Sequence, residues 1–80
     1  MVQERHENYD YRKLRGRIKE IYGTQERFGK AMGLSEPGLS QRLNNITKFT
    51  QDEIYNACVL LSISTEDLCA YFFTRKVQKI

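Results

Sequence analysis

Between Thr24 and Asn44 the chain reads TQERFGKAMGLSEPGLSQRLN, and this stretch holds most of the side chains suited to recognition. Ser40, Gln41 and Asn44 carry hydroxyl and amide groups that both donate and accept hydrogen bonds, Glu36 accepts and Arg42 donates. Two short helices joined at Gly33 would present them. The second would carry small and amide side chains on its exposed face, an arrangement suited to the DNA major groove. Groups for bond-breaking chemistry are missing. The single histidine, His6, lies in a polar N-terminal stretch, and there is no acid pair, nucleophile motif or glycine-rich phosphate loop. No enzymatic activity, metal or cofactor is expected.

The elements that must position this stretch follow from length and patterning. Eighty residues, 40% of them apolar, with five tyrosines and four phenylalanines, suffice for one domain with a small core. Cys58 and Cys69 sit in no CxxC pattern and fall on apolar faces of predicted helices, so they read as buried free thiols in a reducing cytosol, with a disulfide as the alternative. There is no signal peptide and no apolar run near the ~20 residues of a membrane span. A soluble, intracellular protein is expected. Net charge is +3, but its distribution is uneven: residues 11–30 hold seven bases against two acids, whereas residues 51–70 hold four acids and no base. Such a layout would orient the molecule on a polyanion.

Residues 1–9 lack periodicity and read as a flexible arm, residues 10–73 as the folded domain and residues 74–80 as a basic tail. Asp10 is placed to cap a helix over residues 11–22 whose buried stripe is Leu14, Ile18 and Ile21. Gly23 ends it. Thr24 caps a second helix over residues 25–32, with Phe28, Ala31 and Met32 inward. Gly33 supplies a left-handed turn, Leu34 plugs the angle, and Ser35 caps a third helix over residues 36–44 with Leu39 and Leu43 inward. Asn44 and Asn45 fit a helix exit. Thr50 and Glu53 form a capping box for a fourth helix over residues 51–61, with Ile54, Ala57, Cys58 and Leu61 inward. Residues 64–67 open a short fifth helix holding Leu68 and Phe72. The fold class expected is all-α, with five helices.

A bihelical DNA-reading unit needs a small residue where its helices cross, a glycine at the turn, apolar plugs and two caps. Gly29, Gly33, the leucines 34, 39 and 43, and Thr24 and Ser35 meet those demands. The pattern Gln25-x-x-Phe28-Gly29-x-x-x-Gly33-Leu34-Ser35-x-x-x-Leu39-Ser40 resembles the helix-turn-helix of the Cro and lambda-repressor-like family, over roughly residues 11–69. The resemblance implies a five-helix lambda-repressor-like domain with the unit at helices two and three. It looks most like a small phage Cro-type or anti-repressor regulator of the lysis–lysogeny switch, at work in the cytoplasm of a bacterial host. This chain departs from the family pattern in three places. Glycine stands at Gly29 where alanine is common. The third helix opens Glu36-Pro37-Gly38 where base-reading amides are common. Ile18 and Leu43 stand where several relatives pair an arginine with a glutamate.

The resemblance implies double-stranded operator DNA as a partner. Gln25 would approach a phosphate at the start of helix two. Gln41 is the best candidate for a base edge, with Ser40, Glu36 and Pro37 beside it on the outward side of helix three. Arg42, Asn45, Thr47 and Lys48 would hold the DNA backbone. Tyr71 and Phe73 could form a dimer or partner patch beside a core Phe72, and a homodimer on DNA would occupy symmetric half-sites. The leading expectation is therefore a sequence-specific transcriptional regulator acting by operator binding. The alternative is an anti-repressor that binds a partner repressor protein. It is motivated by the hydrogen-bond-poor start of helix three and by the acids Asp52, Glu53, Glu66 and Asp67, which could face a basic partner.

Overall fold

The computed structural model describes residues 8–76. Its order is α1 (Arg12–Tyr22), α2 (Gln25–Met32), α3 (Glu36–Leu43), α4 (Gln51–Leu61) and α5 (Leu68–Phe72), the last entered through a 3₁₀ turn at Thr65–Asp67. The protein is all-α with five helices, and α1 packs against α2, α4 and α5 while α2 also meets α3 and α4. Among the described residues, the one β pairing is a single antiparallel bridge between Tyr9 and Arg75.

Local chemistry sets the helix ends. The hydroxyls of Thr24 and Ser35 accept from the Arg27 and Gly38 backbone N–H groups, and Thr50 and Glu53 form the full reciprocal capping box. The helices α2, α3 and α4 then end in one way. Each is followed by a left-handed residue, Gly33 (φ 75°), Asn45 (φ 64°) or Ser62 (φ 54°). The next residue's N–H returns to a carbonyl five positions back: Leu34 to Gly29 at 2.8 Å, Ile46 to Gln41 at 2.8 Å, Ile63 to Cys58 at 2.9 Å. Gly33 supplies its turn without a side-chain penalty.

The core is built from Tyr11, Leu14, Ile18, Phe28, Leu39, Leu43, Ala57, Leu61, Ile63 and Phe72. Phe28 is fully buried, and Gly29 beside it lets α3 close in. A Cβ at Gly29 would stand 3.3 Å from the Leu34 carbonyl oxygen and 3.6 Å from Leu39 Cδ2. Aromatic rings close one end. Phe49 meets Tyr11 and Phe72 edge-on, with centroids 5.6 and 5.4 Å apart.

Several expectations need correcting. Ile21 is 45% exposed; the α1 stripe runs instead through Leu14, Ile18 and Tyr22, whose ring packs 5.3 Å from that of Phe28. A stripe at i, i+4, i+8 puts the larger amphipathic ring over the α2 core. Ala31 is exposed, because the inner face of α2 follows Phe28, Gly29 and Met32. Cys58 and Cys69 are free thiols, but Cys58 is half-buried and Cys69 exposed. Helix α1 starts one residue late: Asp10 still accepts from the Arg12 N–H at 3.0 Å, but Tyr11, held in the core, occupies the cap position.

The expected boundaries between arm, domain and tail fall within a paired segment. The Asp10 N–H donates to the Thr74 carbonyl at 2.7 Å, and the Lys76 N–H donates to the Asn8 carbonyl at 3.0 Å. Residues 8–10 and 74–76 are thus paired with each other, while residues 1–7 and 77–80 of the expected arm and tail lie outside the described residues.

Candidate recognition site

Helices α2 and α3 and the loop after α3 carry the residues expected to touch DNA, with unequal freedom. Glu36, Pro37, Gln41 and Lys48 are exposed, and Ser40 and Thr47 are half-buried. Ser40 is engaged by Asn44, whose side-chain amide donates to the Ser40 carbonyl at 2.9 Å and to its hydroxyl at 3.2 Å. The first turn of α3 presents a carboxylate, a ring and a glycine. The glycine has a local cause. A Cβ at Gly38 would stand 3.0 Å from the Ser35 hydroxyl that caps the helix and 3.5 Å from Arg42 Nη1.

Arg42, expected on the DNA backbone, is turned inward. Its Nε and Nη2 donate to the two Glu53 carboxylate oxygens at 2.8 and 3.1 Å, and its Nη1 donates to the Gly38 carbonyl at 2.8 Å. The two side chains are only 16% and 18% exposed. Glu53 Oε1 also accepts from the Thr50 N–H at 3.0 Å. One carboxylate thereby caps α4 and locks α3 onto it. Burial acts to raise the Glu53 pKa, but hydrogen bonds from Arg42 and Thr50 and the guanidinium charge outweigh it and hold the acid below its ordinary 4.5. The capping box was legible in the sequence; the second use of Glu53 was not, because it depends on where α3 lies in space.

Asn45, another expected backbone contact, is also spoken for. Its side-chain oxygen accepts from the Tyr9 N–H at 2.9 Å and its amide donates to the Tyr9 carbonyl at 3.0 Å. This two-bond clasp ties the N-terminal segment to the end of α3. We expect Asn45→Ala to destabilise the fold by about 1–3 kcal/mol, since it removes both bonds and strains the left-handed backbone. Asn45→Gly relieves only the strain and should recover part of the loss. Equal denaturation midpoints for the three proteins would show that the clasp adds nothing.

Gln25, expected at a phosphate, accepts from Arg15 Nη1 at 2.9 Å. Arg15 Nη2 donates to the Leu43 carbonyl and to Asn44 Oδ1, both at 3.1 Å. This hub at the C-terminus of α3 joins three helices. Arg17 acts similarly: its Nε donates to the Leu61 carbonyl at the end of α4 at 2.9 Å. Arg12 pairs with Asp10 at 2.8 Å, and the Lys13 ammonium sits 4.9 Å from the Tyr71 ring centre. Of the basic stripe of α1, Arg15 and Arg17 are thus half-buried and bound to the protein itself, while Arg12, Lys13 and Lys19 are exposed.

The expected aromatic patch divides. Phe72 is core, as its spacing predicts. Tyr71 is half-buried beneath Lys13. Phe73 is 43% exposed and turns its ring toward Tyr9, with centroids 6.0 Å apart.

Over residues 7–75 the chain matches the family described as "Protein of unknown function (DUF739)", and it belongs to that family. Among solved structures it is similar to the modulator of repression (MOR) of the temperate bacteriophage TP901-1 from Lactococcus lactis. That solution structure is 44% identical in sequence with a TM-score of 0.74, and the match covers 88% of this chain and 95% of the other. The search of curated proteins found no match. Neither match names the Cro and lambda-repressor-like family. No helix among the described residues is long and apolar enough to cross a membrane.

Proposed function

We propose that this protein is a non-enzymatic phage regulator of the lysis–lysogeny switch. It would act in the host cytoplasm and modulate repression by binding a repressor protein. The observation that carries this reading is the outward face of α3. Its first turn offers Glu36, Pro37 and Gly38, and its one arginine is bound to Glu53. A carboxylate there repels phosphates, and a ring beside a bare backbone suits a dry protein contact better than a base edge. The 44% identity to a modulator of repression supports the same reading. The test is a titration of the repressor encoded in the same switch, read by calorimetry. Binding at micromolar concentration or tighter is expected, and its absence would overturn the proposal.

A second reading is favoured by one observation: two short capped helices, α2 and α3, are joined at the left-handed Gly33, and Gln41 and Lys48 are exposed. In this reading α3 enters the major groove of an operator, with Gln41, Ser40, Glu36 and Pro37 toward bases and Gln25, Thr47 and Lys48 toward phosphates. A homodimer would span two half-sites. If Gln41 reads a base, Gln41→Ala should weaken operator binding by about 1–3 kcal/mol and relax preference at one position. A gel-shift titration at low salt checks this. No shift from either protein would remove DNA as the partner.

A further inference from the structure

Of the five large apolar side chains left exposed among the described residues, three converge on one groove: Tyr55 at 68%, Val59 at 61% and Phe73 at 43%. The groove lies between α4 and the segment from the 3₁₀ turn through the end of α5. It has a volume of about 410 Å³, with Ile54, Cys58 and Leu68 on its lining. Burial raises the Cys58 thiol pKa, so the thiol stays neutral and apolar at pH 7. Three large exposed side chains in one concavity form a contiguous apolar surface of the kind that marks a binding site.

Charge indicates what would cover it. Between Lys48 and Arg75 the chain holds Asp52, Glu53, Glu66 and Asp67 and no base. Glu53 is satisfied by Arg42, whereas Asp52, Glu66 and Asp67 are exposed next to lining residues Gln51, Thr65 and Leu68. A second copy docked by the same face would set acids against acids.

We propose that the α4–α5 groove binds a basic amphipathic helix of a partner protein, with apolar anchors against Tyr55, Val59 and Phe73 and lysines or arginines facing Asp52, Glu66 and Asp67. The proposal rests on the reading that this protein acts by protein contact, and it adds a surface separate from α3. The acids set the sign and speed of encounter, and the apolar floor supplies the affinity.

The probe is a peptide with leucines at helical spacing and lysines elsewhere, titrated into ¹⁵N-labelled protein. A peptide with glutamate in place of lysine is the control. The lysine peptide should move the amide signals of Tyr55, Val59 and Phe73, leave those of α3 in place, and bind at least about tenfold more tightly than the control. Val59→Lys, at an exposed position that spares the core, should abolish that binding and weaken binding of the repressor of the same switch. Equal binding of the two peptides, shifts confined to α3, or an unaffected Val59→Lys protein would overturn the proposal. So would a wild-type dimer that Val59→Lys dissolves, which makes a second copy the occupant. A chain ending at Lys76 that binds the peptide more tightly would also overturn it, by making the protein's own C-terminus the occupant. A repressor that binds wild type and Val59→Lys equally defeats the groove but leaves the proposed function standing. A repressor that binds neither defeats the proposed function and removes this partner with it.

Discussion

Phe28→Ala should lose a large part of the stability of this protein. The ring is fully buried where α1, α2 and α3 meet, against Tyr22 on one side and beside the close crossing at Gly29. Removing a buried phenylalanine ring costs about 3–5 kcal/mol, from lost transfer free energy and from the cavity left behind. A domain of 80 residues has only about 4–12 kcal/mol in total. Urea denaturation followed by circular dichroism should give a midpoint far below wild type, or a chain already partly unfolded. A loss under 1 kcal/mol would mean that the core around Phe28 repacks freely, against this expectation.

Glu53→Ala should be the next most damaging change, by about 2–3 kcal/mol. It removes the cap on the Thr50 N–H, worth about 1 kcal/mol, and leaves the half-buried Arg42 guanidinium without its carboxylate, a further penalty moderated by partial exposure. Glu53→Gln retains an acceptor for the cap but loses the charge, so it should fall between. The pH dependence follows from the depressed pKa. A carboxylate whose folded pKa lies below its unfolded 4.5 stabilises the fold in full above that value, and the stability is lost as pH falls through the folded pKa. The advantage of wild type over Glu53→Gln should therefore be constant near neutrality and shrink in acid. Asp10, held at about 2 rather than 3.8 chiefly by hydrogen bonds from the Arg12 side chain and backbone, has the same sign. Thermal melts of the two proteins across the acid range check this. An advantage that grew on acidification would contradict the Arg42–Glu53 pairing.

The second change also shows why the candidate site was only partly legible in the sequence. Thr50 and Glu53 lie three residues apart, and a capping box is a local device, so spacing alone revealed it. Arg42 lies 11 residues before Glu53. Nothing local distinguishes an arginine that faces solvent from one that folds back onto the next helix. Asn45 is similar. Its suitability for a left-handed helix exit was readable from residue type, but its clasp on Tyr9, 36 positions away, was not. Ile21 and Tyr22 are adjacent, and helical periodicity tolerates either as the third stripe position. The proximity of Phe28 decided for Tyr22.

What composition and spacing determine in this protein is local: five helices, the caps at Thr24, Ser35 and Thr50, the left-handed turn at Gly33, and Leu14, Phe28, Leu39, Leu43, Leu61 and Phe72 turned inward. These depend on hydrogen bonds and dihedral preferences within a few residues, and on apolar periodicity, all written in the order of the chain. What only the packed molecule decides is which polar groups are left over for a partner. Arg15, Arg17, Arg42 and Asn45 look like surface groups in the sequence and become internal struts in the fold. Tyr55, Val59 and Phe73 look like scattered apolar residues and become one groove. The reason is that a side chain's availability depends on neighbours brought near by folding from distant positions, and no local rule carries that distance.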